Sequence, residues 1–156
     1  MGCKMMIDKT FGCKVDGISY YDRVGAYLIA IDHNLLATVK TPKGYFLPGG
    51  GVDGSESRVD CIHRECLEEI GCSVTIKQYI CSAEDYMIHE KFAYFHPVQY
   101  YYSGNINFRI TPPIEVDHKL EWIPINQAAI HLYVEMQRWA VDQYVERENR
   151  RPDRDI

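Results

Sequence analysis

From Val24 to Ile31 the chain reads VGAYLIAI, a nearly unbroken apolar run of the kind that forms a strand buried on both faces. Asp32-His33-Asn34 then signals a turn, and LLATVK predicts a second strand. TPKG marks another turn, and YFLP leads into the triplet Gly49-Gly50-Gly51. From Ser57 the period becomes helical. Val59, Ile62, His63, Cys66, Leu67 and Ile70 gather on one side, and Gly71 is placed to end the helix in the left-handed conformation. SVTIKQYICSAEDYMI and KFAYFHPVQYYYSG then predict strands, with a turn at Ser103-Gly104-Asn105. NFRITPPIEVDHKL reads as loop because of Pro112-Pro113, and LEWIPI as a last short strand. From Asn126 to about Arg147 the pattern is helical again, with Trp139, Ala140 and Val141 on its buried side.

The ends are less patterned. Residues 1–22 predict a loose lead-in with a short strand near Cys13–Val15, and 149–156 a charged tail that frays. Between them, residues 23–148 predict one α/β domain, a mixed sheet with helices packed on it.

Composition changes this picture little. At 156 residues and 46% hydrophobic content the chain can bury a real core. The net charge of −5 argues against non-specific binding to nucleic acid polymers or anionic membranes, though not against an anionic small molecule held through a metal. No apolar stretch has the length of a membrane span, and MGCKMMIDKT lacks a signal-peptide core, so a cytoplasmic protein is expected. The six cysteines include no C-x-x-C pair and read as buried thiols; the histidines form no H-E-x-x-H.

The helix after the glycines is where the chemistry concentrates. At 100° per residue, Glu68 lies about 60° to one side of Glu65 and Glu69 about 40° to the other, so three carboxylates share one arc. Like charges at this spacing repel, and Lys or Arg is missing at i+4, where Glu69 and Cys72 stand. A solvated acidic face is the plain alternative. The preceding Pro48-Gly49-Gly50-Gly51 favours a site instead, because glycines expose carbonyl oxygens, and clustered hard oxygens suit Mg²⁺, with Mn²⁺ as substitute. Arg64 projects from the flank, within reach of Glu56 or Glu68.

This stretch resembles the Nudix hydrolase signature, G-x5-E-x7-R-E-U-x-E-E-x-G-U with U bulky and apolar. Gly50, Glu56, Arg64, Glu65, Glu68, Glu69 and Gly71 stand on its fixed positions, and FLPGG resembles the habitual lead-in. Cys66 and Cys72 depart from it at the two U positions. The resemblance implies a Nudix α/β/α sandwich and a Mg²⁺-dependent hydrolase of the MutT-like type that cleaves a nucleoside diphosphate linked to another group. It implies that Glu65 and Glu69 are metal ligands, with Glu68 as ligand or water-positioning group. A carbonyl at Gly49 or Gly50 adds to the shell, and Glu56 with Arg64 braces loop against helix. The base is then a carboxylate beside the metal, or an acid on a later loop, where Glu115 and Asp117 stand.

Substrate identity is weakly encoded. Met87 and Ile88 stand where ADP-ribose-type members carry a proline, and His89 and Glu90 where dinucleoside-polyphosphate types carry a tyrosine. The extra motifs associated with coenzyme A and NADH are not visible. A nucleoside triphosphate, cleaved to monophosphate and pyrophosphate, is left as the default. Among twelve tyrosines, Tyr45 and Tyr86 are the candidates to stack on a base, and Arg23 to meet a phosphate; Lys40 and Lys43 stand in the same position. The competing expectation is a non-catalytic Nudix-like nucleotide-binding module. It is disfavoured because every motif carboxylate is kept and the chain has no room for an effector domain. The expected partner is a small nucleotide, in a monomer or homodimer.

Overall fold

The apolar run beginning at Val24 is a strand covered on both faces. In the computed structural model, which describes residues 6–152, Ala26, Leu28 and Ala30 pack toward one helix, and Tyr27 and Ile29 toward another. Alternation along an extended chain produces this two-sided burial.

Among the described residues nine strands and three helices follow in order: β1 (Lys9–Gly12), β2 (Tyr21–Ile29), β3 (Ile31–Asp32), β4 (Leu35–Thr41), β5 (Gly44–Phe46), β6 (Gly49–Gly51), α1 (Arg58–Ile70), β7 (Cys72–His89), β8 (Ala93–Arg109), β9 (Lys119–Pro124), α2 (Ala128–His131) and α3 (Glu135–Asn149). One mixed sheet runs β1-β7-β8-β2-β6, and in a second sheet β4 pairs with β3, β5 and β9. One core cluster joins the sheets to α1 through Cys61, Ile62, Cys66 and Ile70; the other joins them to α3 through Met136, Ala140 and Val141. The result is the mixed sheet with helices packed on it that the element order predicts, arranged as the α/β/α sandwich that the resemblance implies. Among the described residues no helix is long and apolar enough to cross a membrane.

Three local expectations are corrected. The lead-in's strand lies at Lys9–Gly12 rather than Cys13–Val15, and it pairs in parallel with Ala83–Tyr86 of β7. Ser103-Gly104-Asn105 is no turn but the middle of β8, where Gly104 pairs with Ile76. A Cβ on Gly104 would collide with the carbonyl oxygen of Thr75, so the glycine marks close backbone approach at an irregular register. The final helix does not run unbroken from Asn126. After a 3₁₀ turn and α2 the chain extends at Leu132–Val134, because Tyr133 donates its N–H to the Tyr45 carbonyl at 2.9 Å and Leu132 bridges to Tyr45. The charged tail beyond residue 152 lies outside the described residues. Cys61, Cys66, Cys72 and Cys81 are buried free thiols as expected, whereas Cys13 is exposed.

Candidate active site

Helix α1 starts cleanly because Ser57, extended at the N-cap, accepts the Asp60 N–H at 3.0 Å. It ends where Gly71 adopts φ 66°. The buried side is not wholly the expected one: His63 and Leu67 are exposed, and Glu69 is buried instead. A carboxylate on the inward face of an amphipathic helix is costly, so the surroundings of Glu69 carry the argument.

Those surroundings are the glycine triplet. Gly49 has φ 140° and donates its N–H to Glu69 Oε1 at 3.0 Å. A Cβ on Gly50 would sit 2.5–2.6 Å from the Glu65 carboxylate, so Glu65 lies directly over the glycine backbone. A Cβ on Gly51 would sit 2.6 Å from Arg23 Nε, so the third glycine makes room for a guanidinium. The Cys61 thiol donates to the Gly50 carbonyl at 3.4 Å, and burial pushes its pKa up to about 12, so it stays protonated. Gly50 and Gly51 therefore let a side chain approach the main chain, while Gly49 makes room for the backbone of β2 at Ala26 and Tyr27.

Arg64 organises the polar flank. Its Nη2 donates to Glu56 at 2.7 Å and to the Gly51 carbonyl at 3.0 Å, while Nε reaches Glu56 at 3.0 Å. Nη1 donates to Glu65 at 3.0 Å and Glu68 at 3.1 Å. The Glu56 carboxyl is held down at about 2, first by the hydrogen bonds from Arg64 and then by the Asp53 N–H. Two other carboxyls move the opposite way. Burial raises Glu65 and pushes Glu69 up to about 8, and the Gly49 N–H only partly opposes the Glu69 shift. One guanidinium cannot neutralise Glu56, Glu65, Glu68 and Glu69 together. Buried hard oxygens in charge excess fit a divalent cation, and Glu65, Glu69, Glu68 and the Gly50 carbonyl are the groups that would hold it.

The later loop that carries Glu115 and Asp117 packs against α1. Ile114 and Glu115 donate their N–H groups to the Glu68 carbonyl at 2.9 and 3.2 Å, which seats the loop on the end of α1. The Glu115 carboxylate meets His118 Nδ1 at 2.7 Å, and Asp117 meets the same nitrogen at 3.1 Å. Glu115, Asp117 and His118 bring three potential metal-binding atoms close together.

Beside the triplet opens a cavity of about 470 Å³. Gly50, Gly51 and Arg23 form one end, Phe46, Met87, Phe92 and Tyr133 line its walls, and Gln137 and Arg138 of α3 also border it. Arg23 is thus brought to the site, and Lys43 borders the same cavity while pairing with Glu90 at 3.2 Å. Three sequence candidates, Tyr86, Tyr45 and Lys40, are not brought there. The Tyr86 ring stacks on His96 at 4.4 Å and faces a separate cavity, because its neighbours Asp85 and Met87 take the other side of β7. Tyr45 donates its hydroxyl to Glu121 at 3.3 Å and packs on His131, leaving Phe46 to face the cavity. Lys40 pairs loosely with Glu121, away from the triplet. Strand parity would have identified Phe46 and Met87 had the face been known. Nothing local in the sequence marks Gln137 or Tyr133.

Comparison with known proteins agrees with this geometry. A family model for the NUDIX domain matches residues 20–144. The chain is 28% identical over 157 aligned residues to the NAD-capped RNA hydrolase NudC of Stutzerimonas stutzeri (strain A1501), covering 94% of this chain and 53% of that protein. It thus spans about half the length of that curated relative. Among solved structures, a NUDIX hydrolase from Nitrosomonas europaea superposes with TM-score 0.69 at 15% identity, over 81% of this chain and 90% of the other. A MutT NUDIX hydrolase from Burkholderia pseudomallei gives TM-score 0.65 at 22% identity, over 79% of this chain and 98% of the other. At these identities the likeness is one of fold.

Proposed function

The chain belongs to the Nudix family of hydrolases, which act on nucleoside diphosphate derivatives, and from that premise we propose that it is a Mg²⁺-dependent pyrophosphohydrolase. Its preferred substrates on this reading are nucleoside triphosphates, cleaved to monophosphate and pyrophosphate. The observation that carries the reading is the glycine triplet clasped by carboxylates, with the Glu65 carboxylate over Gly50 and Glu69 bonded to Gly49.

Each residue then has a definite task. Glu65 and Glu69, with the Gly50 carbonyl and Glu68, hold the cation. When bound, that cation offsets phosphate charge and acidifies water. Arg64 locks Glu56, Glu65 and Glu68 into fixed rotamers, and rigid carboxylates bind a small cation better than mobile ones. Arg23, beside Gly51, meets a phosphate oxygen. Glu68 or Glu115 takes the attacking water's proton, each having one oxygen engaged, by Arg64 and by His118 respectively, and the other left to accept it. Glu56 acts with Arg64 as a brace. The cavity lined by Phe46, Met87, Phe92 and Tyr133 receives the nucleoside.

A dinucleotide such as NAD is the second reading, favoured by the name of the curated relative, and an RNA-linked nucleotide belongs with it. A non-catalytic binding module is disfavoured because every carboxylate of the motif is in place and organised. Product analysis decides among these. Canonical triphosphates, NAD, NAD-capped RNA, ADP-ribose and nucleotide sugars are incubated with Mg²⁺ and either wild type, Glu68→Gln or Glu69→Gln. Cleavage of triphosphates to monophosphates, reduced roughly 100-fold or more by Glu69→Gln, is expected. Cleavage of NAD alone transfers the assignment to dinucleotides, and intact substrates throughout overturn the hydrolytic reading.

A further inference from the structure

A buried polar group bordering the cavity beside the glycines has no hydrogen-bond partner among the described residues. Gln137, in the first turn of α3, is 1% exposed and borders that cavity. Its Oε1 accepts the Leu47 N–H at 2.8 Å. Only the oxygen end of an amide can meet an N–H donor, so the side chain cannot be turned round without losing that bond. Nε2 is therefore fixed on the other arm of the amide, and it has no acceptor among the described residues. Buried donors without partners are rare, because the desolvation they suffer is not returned.

None of the acceptors bordering the cavity, the Asp85 and Glu135 carboxylates included, is hydrogen-bonded to Nε2. Arg138 Nη1 donates to the Leu132 carbonyl at 2.8 Å, Lys43 pairs with Glu90, and Gln99 Oε1 accepts the Tyr101 hydroxyl at 2.7 Å. Phe46, Phe92 and Tyr133 can hold an aromatic ring but cannot tell one nucleobase from another, since every base has a π face. The missing acceptor is then a group the ligand brings.

We propose that Gln137 Nε2 donates a hydrogen bond to an exocyclic carbonyl oxygen of the nucleobase, so that the site selects 6-oxopurine and 4-oxopyrimidine nucleotides over their amino counterparts. The proposal rests on the reading that this cavity receives the nucleoside. A carbonyl supplies free lone pairs to the amide. An amino group in the same place turns N–H toward N–H and leaves the donor buried and unpaired. Sites built around one such bond discriminate strongly against a ligand that lacks it.

Calorimetric binding tests this without any turnover. Inosine monophosphate, adenosine monophosphate and purine riboside monophosphate, which differ at position 6 and, for inosine, in the proton on N1, are titrated into the wild-type protein with Mg²⁺. Inosine monophosphate is expected to bind about tenfold more tightly than either of the others. Glu in place of Gln137 keeps an oxygen for Leu47 and replaces the donor with an acceptor, so Gln137→Glu is expected to reverse the preference toward adenosine monophosphate. Equal affinity for the three, preference for adenosine monophosphate by wild type, or no binding of any of them overturns the proposal. An inosine preference in a protein that hydrolyses nothing would sink the catalytic reading and leave this one standing.

Discussion

At the scale of single residues the site is governed by contacts too close for a side chain. Gly50 has no substitute: a methyl group would sit 2.5 Å from the Glu65 carboxylate, so Gly50→Ala is expected to displace that carboxylate. Mg²⁺ affinity and activity should then fall together by roughly tenfold or more, measured by titration and turnover. Arg64 is the converse case, a cation bonded to three carboxylates and a carbonyl. Its side chain is only 27% exposed, and Arg64→Met removes the charge while leaving Glu56, Glu65 and Glu68 crowded. A loss of roughly 2–3 kcal/mol in the metal-free protein is expected from urea unfolding. Much of this was legible in the sequence, because the spacing of Glu56, Arg64, Glu65, Glu68 and Glu69 is itself the motif. The burial of Glu69 was not, since a helical wheel marks a glutamate as outward and only the glycine backbone beside it makes inward burial tolerable.

Among the elements, helix α1 and the apolar strand were readable because their patterns are strong. Ser57 and Gly71 bound α1 as their residue types suggest. The misread pieces share one physical cause, that non-local pairing overrides the local pattern. Ser103-Gly104-Asn105 has turn chemistry, yet β7 and β8 pair straight through it. Gly104→Ala, whose Cβ would strike the Thr75 carbonyl, is expected to cost roughly 2 kcal/mol in chemical denaturation, where a true turn position would tolerate it. The same cause placed Tyr86 and Tyr45 away from the cavity. Which face of a strand meets the site depends on register with its neighbours, and one residue's slip exchanges Tyr86 for Asp85 and Met87.

For the whole molecule, the proposed cation site would couple folding to metal binding through the same carboxylates. Glu69 is pushed up from 4.5 to about 8, so the folded metal-free protein retains a proton that the unfolded chain releases. That contribution to stability is fully present below about pH 4.5 and is lost as pH rises through about 8. Glu65 is raised as well and acts in the same sense. The metal-free protein is therefore expected to lose roughly 5 °C or more in Tm across this range, a slope that Glu69→Gln flattens. The low pKa of Glu56, about 2, acts in the opposite sense and only in acid. The measurement that tests the central claim most directly is a calorimetric titration of Mg²⁺ and Mn²⁺ into the wild-type protein and into Glu65→Gln and Glu69→Gln, repeated in buffers of different ionisation enthalpy. If these carboxylates hold the cation, wild type binds and releases protons on binding, and both variants lose affinity by at least roughly tenfold. Unchanged affinity in both variants, or binding without proton release, would contradict the account.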